Sequence, residues 1–292
     1  MSDTGALFEE TLTPLLRLKS VRDLRDGVFT PAERGAKTGG LPALLKPADL
    51  LAHIALRIHE DAAHLGKEFS APRQNLQTEG DLSALFVHPT AQISRFAVLD
   101  TTDGTIVVDA EARIGAFSLV KGPAYIGKKT RLDNCQFSNA ICGTDCRLGG
   151  EIADSIIGDF TNKHHEGFLG HSLVGDWVNL GALTTTSDLK NNYGEVRLTF
   201  KDKKIPAGTI KFGSIIGDYA KTAIGTMLGT GSIVDLGANL FGLSHRSGYF
   251  RPFLWGETKI YDRTKFIEDA ARMMKRRGQE VTPELEKKLR AI

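Results

Sequence analysis

The segment from residue 161 to 193, TNKHHEGFLGHSLVGDWVNLGALTTTSDLKNNY, concentrates side chains that can do chemistry. Histidine accepts a proton near neutral pH, and an acyl transfer to an amine needs that step. His165 is therefore a candidate general base. Asn162, Lys163 and Asn179 could supply hydrogen bonds and a positive charge to a phosphorylated substrate. The alternative is that the histidines of the segment are ordinary exposed turn residues, because turns are polar in most proteins.

The sequence around this segment repeats every six residues. Phe168, Val174 and Leu180 are six apart, Ile156 belongs to the same file, and only Asn162 interrupts it. The spacing continues in longer files: Val87, Ile93 and Leu99; Val108, Ile114, Val120, Ile126 and Leu132; and Ile210, Ile216, Thr222, Leu228, Val234 and Leu240. Amphipathic helices repeat near 3.6 residues and half-buried strands near 2, so neither explains this period.

A parallel β-helix of hexapeptide units does explain the period. Each unit is a short strand and a turn, and its inward aliphatic side chain stacks on the equivalent residue of the next coil. Glycine follows many inward positions, as in Ile114-Gly115 and Leu180-Gly181, where it allows turn conformations that a Cβ disfavours. The sequence therefore predicts an all-β solenoid with helical additions at its N- and C-terminal ends.

Metal binding is a second interpretation of the histidines, since zinc is often held by imidazole groups. His165 and His171 are one hexapeptide unit apart in the sequence. In a three-sided coil this spacing places the two side chains on different faces. The sequence therefore predicts no metal site here.

The chain divides into an N-terminal segment at 1–42, a helical linker at 43–84, the repeat domain at 85–245 and a helical tail at 246–292. The first segment ends in a predicted loop, RGAKTGG. The linker contains one predicted amphipathic helix at 46–66. A basic excursion at Ser187–Gly208 interrupts the repeats. In the tail, Thr282-Pro283 caps and starts the last helix, and neighbouring acids make the run 275–277 (KRR) a predicted solvated face.

Composition narrows the possible partners. The net charge of +2 gives no general affinity for polyanions, so no nucleic-acid partner is expected. No apolar stretch approaches the length needed to span a bilayer, so no membrane partner is expected either. The three cysteines (Cys135, Cys142 and Cys146) are odd in number, which argues against a disulfide framework and predicts a reducing, cytoplasmic location.

The phrases TNKHHEGFLGHSLVGDWVNLGA and SDLKNNYGEVRL resemble the acetyltransferase half of the bifunctional N-acetylglucosamine-1-phosphate uridyltransferase/glucosamine-1-phosphate acetyltransferase family. Within it, they are most similar to a branch named after sugar nucleotidyltransferases. The resemblance runs from Val87 onward and includes PFLWG and MMKRRG in the tail. It implies a left-handed β-helix, a homotrimer, and acetyl-CoA bound between neighbouring subunits.

The resemblance also implies roles for single residues. The family's general base falls on His165, its active-site asparagine on Asn179, and a coenzyme A contact on Ala182; Thr226 is a second cofactor-binding candidate. The aromatic substrate contact falls on Phe168, where the family usually has tyrosine, so one hydroxyl contact is missing. The further substrate-binding candidates are Asn162, Lys163, Lys190, Asn191, Asn192 and Tyr193. The family's phosphate-binding Arg and Lys cannot be placed, because unit lengths differ between Arg113 and Glu151.

The chain departs from the family at its N-terminal end. Residues 1–42 resemble only the edge of the family's nucleotidyltransferase domain, and the helix at 46–66 resembles the linker to the solenoid. RGAKTGG lacks the strand-then-helix context of a phosphate-binding loop. We therefore expect no uridyltransferase activity.

The expected protein is a cytoplasmic, trimeric acetyltransferase that uses acetyl-CoA and acts on an amino-sugar phosphate. The excursion is expected to reach over the active-site groove. An alternative is a non-catalytic trimeric scaffold that binds a sugar nucleotide or another protein. A zinc-dependent hydration enzyme is a further alternative, and it requires bound metal in the purified protein.

Overall fold

The computed structural model describes residues 3–20, 23–38, 46–70, 76–242 and 244–292. The helices are α1 (Asp3–Leu16), α2 (Pro31–Thr38), α3 (Pro47–Ala52), α4 (Ile54–Ala62), α5 (Arg263–Lys275) and α6 (Pro283–Ala291). The strands are β1 (Gln77–Glu79), β2 (Leu85–Val87), β3 (Gln92–Ile93), β4 (Val98–Asp100), β5 (Ile106–Val108), β6 (Arg113–Ile114), β7 (Leu119–Ile126), β8 (Arg131–Cys142), β9 (Arg147–Ala153), β10 (Ile156–Ile157), β11 (Asn162–Lys163), β12 (Phe168–Gly170), β13 (Leu173–Val174), β14 (Asn179–Leu180), β15 (Thr185–Thr186), β16 (Arg197–Phe200), β17 (Lys203–Pro206), β18 (Ser214–Ile216), β19 (Lys221–Thr222), β20 (Met227–Leu228), β21 (Ser232–Val234), β22 (Asn239–Leu240), β23 (His245–Arg246), β24 (Tyr249–Phe250), β25 (Leu254–Trp255) and β26 (Lys259–Ile260).

The strands form the three faces of a solenoid, because strands of successive coils pair in parallel. Face A contains β1, β4, β12, β15, β20, β23 and parts of β7, β8 and β9. Face B contains β2, β5, β10, β13, β18, β21, β24 and parts of β7 and β8. Face C contains β3, β6, β11, β14, β19, β22, β25 and parts of β8 and β9. The predicted hexapeptide solenoid with helical additions is confirmed.

The inward side chains of all three faces form one continuous apolar core. The predicted file from Val108 to Leu132 lies entirely within it, as does Ile216.

The three faces meet at three corners. Corner AB is where face A turns into face B, and corner BC is where face B turns into face C. Corner CA joins face C to face A of the next coil. The core therefore fixes which side chains are presented at each corner.

The predicted file through the 161–193 segment is wrong by one position in its first half. The inward residues are Ile157, Lys163 and Leu169, whereas Ile156, Asn162 and Phe168 point outward. The reason is that the unit from Leu169 to Val174 is one residue shorter than a full hexapeptide, which shifts the register of everything before it. Ile210 was also predicted to be inward, but it is 51% exposed and lies between the excursion and β18.

The N-terminal helices and the excursion cover face B. Leu12 of α1 and Ile54 of α4 belong to the same buried cluster as the outward side chain of Ile215 on face B. The excursion leaves the solenoid after β15 and forms the antiparallel hairpin β16–β17, whose Leu198 and Ile205 also bury in this cluster. Within one chain the excursion therefore does not reach over the candidate site, because its apolar face packs on face B.

The C-terminal helices pack at corner BC. Phe266 of α5 contacts Tyr219 edge-on at 5.9 Å, and Phe160, Trp177 and Tyr219 stack along the corner. Thr282 caps α6 by accepting a hydrogen bond from the Leu285 N–H, as predicted. Helices α5 and α6 thus extend the apolar core outward at one corner.

Two local predictions in the N-terminal part differ from the structure. The helix predicted at 46–66 is two helices, α3 and α4, separated at His53, although its apolar side chains Ile54 and Ile58 are buried as expected. The predicted loop RGAKTGG is helical through Thr38 in α2, and Gly39 and Gly40 lie outside the described residues.

Candidate functional site

His165 lies at corner CA, in the turn between β11 and β12. Its ring is exposed and makes no hydrogen bond or ion pair within the described ranges; the ring of His164 meets it edge-on at 5.2 Å. The His164 Nδ1 atom is buried without a hydrogen-bond partner in that part of the chain, and it lies 3.9 Å from Asp133 Oδ2. An unpartnered imidazole at an open corner can accept a proton from a bound amine.

Lys163 lies directly beneath this corner and points into the solenoid. Its side chain is 2% exposed, and its ammonium donates to the carbonyl oxygens of Gly149 at 2.7 Å and His165 at 3.0 Å. Burial lowers the pKa of Lys163. The predicted phosphate contact of Lys163 is therefore wrong, because its ammonium is enclosed and already used to hold the His165 turn.

Asn162 and Asn179 form a pair on the outer surface of face C. They are register partners on β11 and β14, and Asn162 Nδ2 donates to Asn179 Oδ1 at 2.9 Å. His165 follows Asn162 by one turn of chain, so the amide pair and the imidazole lie along the same edge of the solenoid. The structure thus pairs Asn162 with Asn179, and it places His165 three residues after Asn162 in the next turn.

The amide pair lines a cavity of about 160 Å³ between face C and the end of α5. Its other lining residues include Trp177, Met273, Arg276 and Arg277. Sequence reasoning missed these arginines, since the basic run was expected to be a solvated face. The only signal for them was the MMKRRG phrase in the tail, which gives no position relative to face C.

Face C is also basic below the amide pair. Arg113, Arg131 and Arg147 are register partners on successive coils, and Arg147 is the partner of Asn162. A groove of about 620 Å³ runs over the first coils and is lined by Gln92, Arg113, Arg131 and Asp133, among others. Face C therefore presents cations and amides together beside His165.

The LKNNY turn lies apart from His165, at corner AB. The Lys190 ammonium donates to the Glu195 carbonyl at 2.9 Å, and the Tyr193 side chain is 70% exposed. Asn192 accepts from the Gly194 N–H, while Asn191 is exposed. Strand β12 separates this turn from corner CA, so within one chain these four residues do not join the His165 group.

Phe168 lies on the outer surface of face A and is half-buried. Its ring extends over Gly170: a Cβ placed on Gly170 would lie 2.2 Å from the ring and 3.0 Å from Asp188 Oδ2. Phe168 therefore points from the His165 turn towards corner AB, where it covers backbone and closes the space next to Asp188.

A second histidine, His171, forms a carboxylate pair at corner AB. His171 Nδ1 lies 2.7 Å from Asp188 Oδ2, and its Nε2 lies 3.6 Å from Asp154 Oδ2. Asn139 continues this column by donating to Asp154 Oδ1 at 2.6 Å. Because both ring nitrogens face carboxylates and Asp188 is the second residue of the excursion, the pair anchors the base of the excursion.

The cofactor candidates lie at corner CA, on the coils after His165. Ala182 is half-buried, and its carbonyl accepts from the Gly225 N–H. Thr226 is 1% exposed and its hydroxyl donates to the Ala223 carbonyl, so its predicted cofactor contact is wrong. The corner itself is apolar here, with Leu183 and Ile224 57% and 76% exposed.

The cysteines do not contribute to the candidate site. All three cysteine thiols are free and buried, and burial raises the pKa of Cys135 and Cys142 to about 12. Among the described residues, no group of three or more His, Cys, Asp or Glu side chains is arranged to hold a metal ion. No helix in the same ranges is long and apolar enough to cross a membrane.

The known proteins that this chain resembles in sequence include bifunctional transferases. The chain is 32% identical over 88 residues to the bifunctional sugar-1-phosphate nucleotidylyltransferase/acetyltransferase of Sulfurisphaera tokodaii, covering 30% of this chain and 21% of that protein. It is 35% identical over 109 residues to the bifunctional protein GlmU of Methanococcus vannielii (35% and 26% covered) and 31% identical over 129 residues to that of Synechococcus elongatus (44% and 21%). The resemblance to bifunctional GlmU proteins is confirmed.

The match to the GlmU proteins is partial. The chain spans only a fifth to a quarter of the length of these relatives. No protein-family model matches it.

The solved structures that align with the chain do so with low scores. A Bacillus cereus protein described as an acetyltransferase aligns at a TM-score of 0.24 with 13% identity, over 69% of this chain and 97% of the other. The acetyltransferase domain of PglB from Neisseria gonorrhoeae, in complex with acetyl coenzyme A, aligns at 0.18 with 15% identity, over 69% and 76%. Such scores add nothing to the strand pairing described above.

Proposed function

We propose that this protein is an acetyltransferase that moves the acetyl group of acetyl-CoA to the amino group of an amino-sugar phosphate. The observation that carries the proposal is the exposed His165 ring, which has no hydrogen-bond partner among the described residues and follows Asn162 of the Asn162–Asn179 pair by three residues. The similarity to bifunctional nucleotidylyltransferase/acetyltransferases supports the choice of acyl group and substrate class.

The residues would act as follows. Acetyl-CoA, when bound, supplies the acetyl thioester. The acceptor amine attacks the thioester carbonyl, so that a C–N bond forms and the C–S bond breaks. His165 accepts the proton that the amine loses and returns it to the departing thiolate. Asn162 and Asn179 orient the acceptor by hydrogen bonds, and a backbone N–H stabilises the developing oxyanion. Lys163 positions His165 by holding its carbonyl.

Acetyl-CoA would lie at corner CA. The small side chain of Ala182 leaves space on the coil above His165, and the exposed Leu183 and Ile224 offer apolar surface to a pantetheine chain. Phe117, 78% exposed, extends the apolar surface on the other side of His165. We name Phe96, Phe117, Leu183 and Ile224 the corner CA ridge.

The proposal also includes a trimeric assembly and a role for the N-terminal residues. We place three chains around the open corner CA, with the ridge covered by a neighbouring subunit and LKNNY completing a neighbour's site. Residues 1–42 and 43–84 would correspond to the edge of a nucleotidyltransferase domain and to its linker, and their helices α1 and α4 cover face B.

The competing proposal is a non-catalytic scaffold that binds a sugar nucleotide or a protein. Two observations favour it: the Lys163 ammonium is enclosed, and the LKNNY turn is separated from His165 within one chain. A scaffold has no need to bind acetyl-CoA, whereas the transferase requires it.

The deciding experiment measures CoA release with glucosamine 1-phosphate for wild type, His165→Gln and His59→Gln. His59 is an exposed histidine on α4 and is the matched control. Loss of the general base is expected to lower kcat/KM by about 10²–10⁴-fold, with acetyl-CoA still bound in calorimetry, while H59Q keeps the wild-type rate. Equal rates for H165Q and wild type, or no release with any amino sugar, would refute the proposal.

A further inference from the structure

The end of α5 brings unneutralised positive charge to the Asn162–Asn179 pair. Arg277 Nη1 lies 3.2 Å from Asp145 Oδ1, and Arg147 Nη1 lies 2.8 Å from the same oxygen. Arg276 has no acidic partner among the described residues. Arg147 and Arg277 therefore share a single carboxylate, and the cavity wall carries the guanidinium groups of Arg276 and Arg277.

The charge imbalance is partly buried. Arg277 is half-buried, and burial together with Arg147 lowers its pKa, although a guanidinium stays protonated at any physiological pH. Clustered guanidinium groups repel each other unless an anion lies between them. Arginine and amide donors together are the groups that proteins use to bind phosphate oxygens.

The cavity has a size and position that suit one part of a substrate. Its volume of about 160 Å³ is well below the roughly 300–1,000 Å³ of pockets that enclose a whole ligand. It can hold a phosphoryl group while the rest of the molecule lies outside. Asn162 lines the cavity and precedes His165 by three residues, so the chain advances about 10 Å at most from the cavity wall to the residue that carries the imidazole.

Resting on the proposed function, we infer that Arg276 and Arg277 bind the phosphate of the amino-sugar acceptor in the cavity formed with Asn162 and Asn179. The phosphate is thereby held on face C, and the amine points along the face towards His165. Face A is the less suitable side, because the side chains of Glu151, Asp154 and Asp188 make it acidic.

The test uses Arg276→Gln, since this side chain has no ion pair with any residue that the structure describes. Lys275→Gln is the matched control. Lys275 is the adjacent exposed cation and does not line the cavity. Calorimetry with glucosamine 1-phosphate, glucosamine and CoA should show at least a tenfold weaker glucosamine 1-phosphate affinity for R276Q only. Its affinities for glucosamine and CoA should stay within twofold of wild type.

The other outcomes decide against the inference. Equal weakening by R276Q and K275Q would indicate a diffuse charge effect, and weakening of CoA alone would make the cofactor the source of the phosphate. Orthophosphate titration followed by phosphorus NMR separates this inference from the transferase assay. Equal orthophosphate binding by wild type and R276Q overturns the site even if acetyl transfer succeeds, and weaker binding by R276Q supports it even if acetyl transfer fails.

Discussion

Lys163 puts an ammonium group at a position where the neighbouring coils place Leu148 and Leu180. A buried cation is costly unless its donors are used. Here they are used on the carbonyls of Gly149 and His165, which belong to successive coils at corner CA. The lysine thus acts as an internal brace for the turn that carries the candidate base.

Replacing Lys163 by methionine tests this brace. Methionine keeps the aliphatic stem but leaves both carbonyls without their donor, at a cost of about 1–3 kcal/mol in the free energy of unfolding. The His165 turn should shift, so kcat should fall by about tenfold or more while acetyl-CoA affinity stays unchanged. Urea unfolding and steady-state kinetics measure the two effects. Lys190→Met is the control for stability, because its ammonium serves only the exposed LKNNY turn; equal unfolding midpoints for the two variants would contradict the brace.

At the scale of elements, His165 at corner CA and His171 at corner AB have different environments. His165 is unpartnered, whereas His171 is held between Asp188 and Asp154 at the base of the excursion. A histidine with carboxylates at both ring nitrogens is suited to fixing a loop, and Asp188 is where the chain leaves the solenoid. The function proposed for His165 therefore requires His171 to be dispensable for catalysis.

His171→Gln should loosen the excursion without abolishing turnover. Trypsin should cleave the variant faster than wild type at the lysines of the β16–β17 hairpin, Lys201, Lys203 and Lys204, since the base of the excursion loses its anchor. The transfer rate should stay within about tenfold of wild type, far from the loss expected for a general base. Mass spectrometry of timed digests locates the cleavage. A rate as low as that of H165Q would instead make His171 the base.

The sequence predicts the solenoid well and the site only in part, for physical reasons. Inward aliphatic side chains recur because each coil must bury one per face, so the six-residue period predicts the fold. Of the predicted site, Asn162 and Asn179 pair on face C. The one-residue deletion after Leu169 does not break the period visibly, yet it turns Lys163 inward. Its buried role could not be anticipated from a pattern that assigned the inward position to its neighbour.

Placement of the non-repeating elements was beyond sequence reasoning. The excursion packs on face B because that face is apolar on its outer surface, with Leu173 and Ile215 buried against Phe200. Arg276 and Arg277 reach face C only because Phe266 and Met274 dock α5 at corner BC. Such long-range packing leaves no local signal. The sequence predicted the exposure of Lys275 and Arg276, but not that Arg276 and Arg277 line a cavity.

At the scale of the molecule, the corner CA ridge is the exposed apolar surface that the proposed trimer would cover. Light scattering should give a mass of three chains of 31.8 kDa each. Phe117→Ser should shift the distribution towards smaller species, because it removes a large apolar side chain from the proposed contact. Leu56→Ser is the control: it lies on α4 and is 48% exposed, away from the ridge. A wild-type monomer, or an equal shift for L56S, would refute this arrangement.

The N-terminal segment is held to the solenoid by a column of aspartates at corner BC. Arg17 pairs with Asp235 at 2.6 Å, and Lys19 pairs with Asp176 at 2.5 Å and Asp218 at 3.2 Å. The chain after α1 thus runs along the solenoid axis, and its cations Arg17 and Lys19 pair with aspartates of successive coils. The stability of the whole molecule should depend on the protonation of this column.

Asp218 makes that dependence measurable. Its carboxylate is enclosed and accepts the Asp176 N–H, and burial raises its pKa to about 7 in spite of Lys19. The folded protein therefore binds this proton more tightly than the unfolded chain, in which the group titrates near its usual value of about 3.9. It follows that the Asp218 contribution to stability is largest below about pH 4 and is lost as the pH rises through about 7.

Asp218→Asn cannot ionise, so its free energy of unfolding relative to wild type should increase between about pH 5 and about pH 8. Urea unfolding across this range measures the difference, with the exposed Asp103→Asn as the control that should stay parallel to wild type. Parallel curves for D218N and wild type would mean that Lys19 keeps Asp218 ionised throughout.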